Sequence, residues 1–271
     1  MNYYSKDQTK SILKENFEFI KFSLKNHIVT ITLNRAHKRN AIHPQTLNEL
    51  AFVLQYIFYE KNIRVILIES SGSVFCSGAD LDAMMGNAAK HNSSIPNSEK
   101  EILLGQILTE VHKPIISKVE GSVYAGGYIY LACSTYVIAC DHLEFSLPEV
   151  KRGIFPMQVM GLLMRVMIPR NIIDWCIRGY SLNAPKAKKW GLISKVVPKN
   201  KIDQEVQSWV KNILENSPKA ISLGLEAFEK LIDQEKNQKY LAKMLDKVLE
   251  SDDAKEGITA FKEKRKPSWK K

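Results

Sequence analysis

Hydrophobic and polar residues alternate over Phe19–Arg35, and the alternation breaks at Lys25-Asn26, so this stretch predicts a β-hairpin. Apolar residues after Pro44 recur at helical spacing, which predicts an amphipathic helix. Val65–Ser70 is a short apolar run rich in β-branched residues, as is typical of a buried strand. The chain therefore begins as a mixture of strands and helices.

The alternation of elements continues over the first two-thirds of the chain. We predict a helix around Glu99–His112, then in turn the strand Pro114–Gly121, a glycine turn and helix over Val123–Ser134, the strand Tyr136–Asp141 and the segment Glu144–Val150. From about Pro156 onward helical patterns dominate, except for a short strand at Lys195–Val197. This order predicts a parallel α/β core over residues 1–200 and a helical region over residues 201–271.

Two stretches carry no clear period. Residues 1–15 are polar, and we interpret them as a lead-in to the fold. Residues 86–100 contain Gly86, Pro96 and several Asn and Ser residues, which favours a mobile loop that could cover a site.

Composition narrows the class of protein. With 45% hydrophobic and 25% charged residues, the 271-residue chain fits a soluble globular protein. The net charge of +10 favours a polyanionic or phosphorylated partner, yet the chain has no basic stripe with interleaved aromatics, so we expect no nucleic acid. The four cysteines form no C-x-x-C pair, and we expect no metal site. We also expect no membrane span, no leader and a cytoplasmic location.

Two junctions, FCSGAD and YAGGY, follow predicted strands, precede helices and contain small residues. At such junctions unpaired backbone N–H groups point outward and favour negative charge. Two such donors can converge on one oxygen and bind an oxyanion more tightly than a carbonyl. Taken singly, either junction could equally serve only the close packing of a helix on a strand.

Five ordered motifs together resemble one family: LNRAHKRNAI, FCSGADL, VEGSVYAGGYIYLAC, FSLPEVKRGIFP and FKEKRKPSW. The chain is similar to the crotonase (enoyl-CoA hydratase/isomerase) superfamily over about Phe17–Trp269. The resemblance implies an α/β fold, a crotonase-like spiral of ββα units with a C-terminal helical trimerisation region. It also implies a homotrimer or dimer of trimers and an acyl-CoA substrate. Coenzyme A would then enter as part of the substrate, with no tightly bound cofactor.

The resemblance also assigns site residues. It implies that the amides of Ala79 and Gly126 form an oxyanion hole and that Glu149 is the acid/base group. The substrate-binding residues that it implies are Gly78, Asp80, Leu81, Gly127, Ile129, Phe261 and Lys264, the last two at the CoA nucleotide. We expect burial beside apolar neighbours such as Leu147 to raise the pKa of Glu149. Without the resemblance, a surface glutamate after Pro148 would be the simpler interpretation.

The chain departs from the family pattern at two positions. Ile129 stands where hydratases carry a first glutamate, and because isoleucine moves no proton, isomerisation is favoured over hydration. Asp82 stands where many relatives have a lysine for the CoA phosphates, so that contact must come from elsewhere. Lys264 is the better candidate, ahead of the basic run His37, Lys38 and Arg39.

Other interpretations remain open. The same oxyanion hole serves acyl-CoA decarboxylases and thioesterases, and a non-catalytic acyl-CoA- or RNA-binding relative is a further alternative. Residues 82–104 and Phe155–Met164 are expected to shape the acyl pocket. Of the three tyrosines around the glycine turn, two are expected to pack in the core and one to line the pocket; they are Tyr124, Tyr128 and Tyr130.

Overall fold

The computed structural model describes the backbone of residues 1–232 and 235–268, and the side chains of these residues except 235–239. Trp269 of the last sequence motif and the two residues after it lie outside the described residues. Within the described ranges, no helix combines the length and the apolar character needed to cross a membrane.

The strands, numbered along the chain, are β1 (Ile20–Lys25), β2 (Ile28–Leu33), β3 (Val65–Ser70), β4 (Val74–Cys76), β5 (Ile115–Val119), β6 (Ser122–Tyr124), β7 (Tyr136–Cys140), β8 (Glu144–Ser146), β9 (Ser181–Asn183) and β10 (Lys195–Val197). The α-helices are α1 (Lys6–Thr9), α2 (Pro44–Tyr59), α3 (Leu81–Met84), α4 (Leu104–Thr109), α5 (Tyr128–Cys133), α6 (Met157–Leu163), α7 (Pro169–Arg178), α8 (Ala184–Lys189), α9 (Ile202–Leu214), α10 (Pro218–Ile232), α11 (Glu235–Leu249) and α12 (Asp252–Lys262). Short 3-10 helices lie at Ile12–Lys14, Ala36–Lys38, Ala125–Gly127, Glu149–Arg152 and Lys199–Lys201.

The strands form two sheets. The larger has the order β1-β2-β3-β5-β7-β10, with an antiparallel β1–β2 hairpin and parallel pairing elsewhere. The smaller has the order β4-β6-β8-β9, with β4, β6 and β8 parallel and β9 antiparallel. Successive strands alternate between the sheets, as β3 then β4, β5 then β6, and β7 then β8, each pair followed by a helix. This repeat confirms the predicted spiral of ββα units.

Parallel pairing in the smaller sheet positions the loops that carry the candidate site residues. Cys76 of β4 is in register with Val123 of β6, and Tyr124 of β6 is in register with Ser146 of β8. Because parallel neighbours end at the same edge, the segments after these strands meet there, where ligands commonly bind in parallel sheets.

A row of apolar side chains holds these three-residue strands together. Phe75, Val123, Phe145 and Leu182, one from each strand of the smaller sheet, are fully buried. Burying each such side chain contributes on the order of 1.5–3 kcal/mol. Strands this short form few backbone hydrogen bonds, so their register depends on this row.

The N-terminal residues differ from the predicted polar lead-in. They contain α1 and the 3-10 helix Ile12–Lys14, and Tyr4 and Ile12 are buried. The Tyr4 hydroxyl donates to the Pro96 carbonyl at 2.9 Å, so this segment anchors the loop over residues 86–100. That loop has no helix or strand, as predicted, but Ile95 within it is buried.

Some elements were not predicted, or not with these bounds. The strands β6 and β9 are each three residues long, which is too short for alternation to be recognised. The helix predicted around Glu99–His112 is limited to α4, because residues 99–103 continue the preceding loop. The C-terminal helices were predicted correctly as a class.

The C-terminal helices pack on the spiral at several points. The ring of Trp209 in α9 stacks on Tyr136 of β7 with centroids 3.3 Å apart, and Arg165 pairs with Glu229 of α10 at 2.5 Å. Large apolar side chains nevertheless stay exposed on α7, on α10 and before α7: Ile168, Ile177, Leu223, Phe228 and Leu231. Trimerisation through this region and the division at residue 200 both stay predictions.

A glycine fixes the contact between α12 and the 3-10 helix Glu149–Arg152. Gly153 ends that 3-10 helix with φ of 70°, and a Cβ there would overlap the carbonyl of Asp253. We expect Gly153→Ala to lower the free energy of unfolding by about 1–2 kcal/mol for the left-handed conformation, and by a further 1–3 kcal/mol for the overlap.

Gly86→Ala is the matched control, because Gly86 has φ of 80° but nothing within 4 Å of its Cβ position. Denaturant unfolding of both variants separates the two effects. Equal losses of stability would show that the contact with α12 contributes nothing.

Candidate active site

The first junction follows β4 and approaches the second junction closely. Gly78 has φ of 92°, and a Cβ on it would lie 2.6 Å from the Ala125 Cβ and 3.0 Å from the Gly126 nitrogen. A residue with a side chain at position 78 would therefore both strain the backbone and push the two loops apart.

The amide nitrogen of Ala79 lies next to the second junction. A parallel bridge joins Ala79 to Ile42, using the Gly78 carbonyl (2.8 Å from the Ile42 nitrogen) and the Asp80 amide (3.0 Å from the Ile42 carbonyl). Since neighbouring backbone groups alternate in direction along an extended segment, the Ala79 N–H faces away from Ile42. A Cβ built on Gly126 would lie 3.5 Å from the Ala79 nitrogen, so the two predicted oxyanion-hole residues lie side by side.

A buried ion pair supports the first junction. Asp80 caps α3 through the amides of Asp82 and Ala83, and its other oxygen lies 2.5 Å from the Arg35 guanidinium. Burial alone would raise the pKa of Asp80, but the hydrogen bonds from Arg35 and Ala83 and the charge of Arg35 together lower it. Asp80 is thus held as a carboxylate that orients the loop. Sequence reasoning missed Arg35, although it lies in the LNRAHKRNAI motif.

The second junction is a 3-10 turn, Ala125–Gly127, that leads into α5. Ala125 has φ of 49°, a left-handed conformation that is uncommon for residues other than glycine. A Cβ on Gly127 would lie 2.9 Å from the Cys76 carbonyl, so this glycine allows close packing of the turn on β4. Its predicted contact with substrate stays a prediction.

Glu149 begins its 3-10 helix in a buried position after β8. The residue is 9% exposed, and its Oε2 atom has no hydrogen-bond partner among the described residues. Burial raises the pKa of Glu149 to about 7, although a backbone hydrogen bond and the nearby Arg152 act in the opposite direction. A surface position after Pro148, the simpler reading of the sequence, is therefore wrong, and the predicted rise in pKa is present.

The neighbours of the glycine turn are mostly apolar. Ile129 is buried in α5 and brings no second carboxylate. Tyr128 and Tyr130 are also buried, and the Tyr128 hydroxyl donates to the Val123 carbonyl at 2.7 Å. Tyr124 is half-buried, which leaves it as the tyrosine able to line a pocket. Cys76 is buried and burial raises its pKa to about 12, so it is not an activated nucleophile.

A cavity of about 260 Å³ opens beside the first junction. Its lining combines α3 with the C-terminal helices: Leu81, Met84, Met85, Leu249, Lys255, Ile258 and Thr259. The sequence analysis named the lining residues in and next to α3, as Leu81 and as part of residues 82–104. It did not predict the wall from α11 and α12, since no local pattern indicates where those helices fold back. The expected contribution of Phe155–Met164 to an acyl pocket stays a prediction.

The C-terminal helix α12 also supplies a cation that pairs with Asp82 of α3, the acid that stands where many relatives have a lysine. Lys262 lies 3.1 Å from the Asp82 carboxylate, so the negative charge there does not face the site alone. Phe261 is half exposed and stacks under the Arg152 guanidinium at 4.0 Å from its ring centroid. Lys264 and the basic run His37, Lys38 and Arg39 are exposed. Lys262, the neighbour of Phe261, is a cation that sequence reasoning missed.

The family model of the enoyl-CoA hydratases/isomerases matches residues 23–271, nearly the whole chain. The chain belongs to the enoyl-CoA hydratase/isomerase family. The crotonase superfamily recognised from the motifs is thereby confirmed. In the described residues of this family member, no cluster of His, Cys, Asp and Glu is suited to hold a metal ion.

Relatives of this family member match along nearly their full length. A mevalonyl-coenzyme A hydratase of Aspergillus fumigatus is 29% identical over 252 residues, covering 90% of this chain and 92% of the relative. A carnitinyl-CoA dehydratase of Shigella flexneri is 30% identical over 254 residues, with 90% and 95% covered. The crystal structure of a carnitinyl-CoA hydratase from Mycobacterium avium superimposes with a TM-score of 0.80 at 26% identity, covering 94% and 99% of the two chains.

The raised pKa of Glu149 makes stability depend on pH without any substrate. A carboxyl group whose pKa rises from 4.5 to about 7 on folding stabilises the fold below pH 4.5 and loses that contribution as pH rises through 7. Glu149→Gln removes this titration. We expect its stability relative to the parent protein to increase between these pH values by roughly 3 kcal/mol and then to level off.

Denaturant unfolding at several pH values measures this difference. The Gln side chain adds its own constant effect, so the slope with pH is the decisive quantity. Glu144→Gln, at an exposed position on β8, controls for the change of charge. A difference for Glu149→Gln that stays flat with pH would show that folding does not raise the pKa of Glu149.

Proposed function

We propose that this protein binds an acyl-CoA thioester, holds the thioester oxygen with the amides of Ala79 and Gly126, and moves protons with Glu149. One observation carries the proposal: the two amides and the buried Glu149 carboxyl group follow β4, β6 and β8 at one edge of the smaller sheet. Coenzyme A is part of the substrate in this proposal, and no separate cofactor is needed.

The two amides would supply the largest stabilising effect. Removing a proton next to a thioester places negative charge on the thioester oxygen, and fixed N–H donors stabilise that enolate more than the starting carbonyl. The missing Cβ of Gly126 leaves space 3.5 Å from the Ala79 nitrogen, and Gly78 lets the two loops approach each other. Asp80, with Arg35, keeps the first donor in position.

Glu149 suits a group that both takes and returns a proton. A pKa of about 7 leaves both forms populated near neutral pH. The carboxylate would take the proton from C2 of a 3-enoyl thioester, giving a dienolate, and the carboxylic acid would return a proton at C4 to leave the 2-enoyl product. Buried Ile129 supports this isomerisation, because a single carboxyl group completes the cycle.

Hydration or dehydration is the second candidate, because the relatives named above are a hydratase and a dehydratase. Addition of water requires a group that holds the water and handles its second proton. Ile129 has no group that could hold water or transfer a proton. The half-buried Tyr124 is the hydroxyl next to the glycine turn and is the candidate for that role.

The substrate contacts follow from the same geometry. The cavity beside Leu81 has an apolar lining with two methionines, which suits an adaptable contact with an acyl chain. We propose that Phe261 and Lys264 contact the CoA nucleotide, with Lys262 supplying positive charge near Asp82. The exposed apolar residues of α7 and α10 support a homotrimer or a dimer of trimers.

Product analysis separates these reactions. We expect purified protein to convert a 3-enoyl-CoA to the 2-enoyl-CoA and to hydrate crotonyl-CoA much more slowly. Glu149→Gln should lower the isomerisation rate by roughly 10²–10⁴-fold, because the acid/base group is lost. Rapid hydration of crotonyl-CoA that survives Glu149→Gln would overturn the mechanism, and release of carbon dioxide from a malonyl thioester or of free CoA would assign a different reaction.

The oxyanion hole has its own test in Gly126→Ala. The added Cβ would meet the Ala79 nitrogen, the Gly78 Cα and the Ile42 side chain at ordinary contact distances of 3.5–3.6 Å, so the protein should fold normally. The methyl group would nevertheless lie beside the donors, and kcat/KM should fall roughly 10²-fold. Gly224→Ala, with nothing within 4 Å, is the control. Unchanged kcat/KM in Gly126→Ala would place the thioester oxygen elsewhere.

A further inference from the structure

Arg152 lies one turn after Glu149 on the same 3-10 helix. In a 3-10 helix the side chains of residues i and i+3 lie above one another, so these two side chains share a face. Arg152 is half-buried, yet among the described residues it has no ion pair and donates no hydrogen bond. A half-buried guanidinium loses part of its hydration, and without a carboxylate partner that loss is costly, which calls for a reason to keep Arg152 there.

Phe261 of α12 supplies the contact that holds this guanidinium. The Arg152 carbon Cζ lies 4.0 Å from the centroid of the Phe261 ring, a close cation–π contact. The close approach of Gly153 to Asp253 holds the start of α12 against the same 3-10 helix. The Arg152 side chain therefore packs between its own 3-10 helix and α12.

The other ionisable groups around Glu149 are neutral or directed elsewhere. Tyr128 of α5 and Cys176 of α7 are near it, and burial raises the pKa of both, so they carry no charge near neutral pH. Of the remaining charges on α7, Asp174 and Arg178 pair with each other at 3.4 Å, and the side chain of Arg170 is exposed. The side chains of Asp252, Asp253 and Lys255 at the start of α12 are exposed. Arg152 is the cation that lowers the pKa of Glu149 against the effect of burial.

We propose that Arg152 is a positioning residue that favours the carboxylate form of Glu149, and that Phe261 on α12 holds the Arg152 guanidinium in place for this purpose. The docking of the C-terminal helix would thus determine how readily the buried carboxyl group accepts a proton from carbon. The inference rests on the proposed role of Glu149, and it adds a residue that is not part of the oxyanion hole.

The test is a titration of Glu149 in the folded, substrate-free protein. The infrared band of the protonated Glu149 carboxyl, identified by its absence in Glu149→Gln, reports the midpoint directly. We expect Arg152→Met to raise the midpoint by about one pH unit, because an opposite charge nearby is lost. Arg152→Lys should largely restore it, and Phe261→Leu should raise it by less than Arg152→Met.

Lys151→Met is the matched control, since it removes the same charge from an exposed neighbour of Arg152. A midpoint that does not move in Arg152→Met, or that moves as far in Lys151→Met, would overturn the inference. If Arg152→Met does not fold, an unchanged midpoint in Phe261→Leu has the same consequence.

The pH profile of kcat/KM distinguishes this inference from the proposed function. If both hold, the rising limb of the profile should move to higher pH together with the infrared midpoint in Arg152→Met. An infrared shift without a kinetic shift would support the coupling of Arg152 to Glu149 and would overturn the role of Glu149 in the reaction.

Discussion

The parallel register of β4, β6 and β8 is the constraint on which the candidate site depends. These strands have three residues each, and they end in loops that carry Ala79, Gly126 and Glu149. Burial of Phe75, Val123 and Phe145 keeps them in register, and glycine at position 78 lets the first two loops meet. A slip of one residue in any of these strands would turn its buried side chain to the other face and move its loop away from the others.

One carboxyl group at this edge has a raised pKa, whereas two others are paired with cations. Asp80 is held ionised by Arg35, and Asp82 is paired with Lys262. Burial raises the pKa of Glu149 and the charge of Arg152 lowers it, and the net result is a pKa of about 7. The contrast between Asp80 and Glu149 comes from their surroundings, since isolated carboxyl groups of these types differ by less than about one unit.

The sequence predicted most of what depends on local pattern or on motif order. The hairpin Phe19–Arg35 and the ββα spiral were identifiable from it, whereas the roles of Ala79, Gly126 and Glu149 stay predictions. The wall that α11 and α12 add to the cavity was not, and neither was the Lys262–Asp82 pair, because their residues are far apart in the chain and meet only through tertiary packing. The burial of Tyr4 and Ile12 was also missed, because most residues around them in the sequence are polar and the segment shows no apolar pattern.

We propose above all that a thioester oxygen binds between the amides of Ala79 and Gly126 within reach of Glu149. A crystal structure with a bound, unreactive acyl-CoA analogue tests it most directly. We predict that the thioester oxygen lies roughly 2.7–3.1 Å from both nitrogens, with the Glu149 carboxylate facing the carbon next to the thioester. A thioester bound elsewhere, or one whose oxygen meets neither amide, would contradict it.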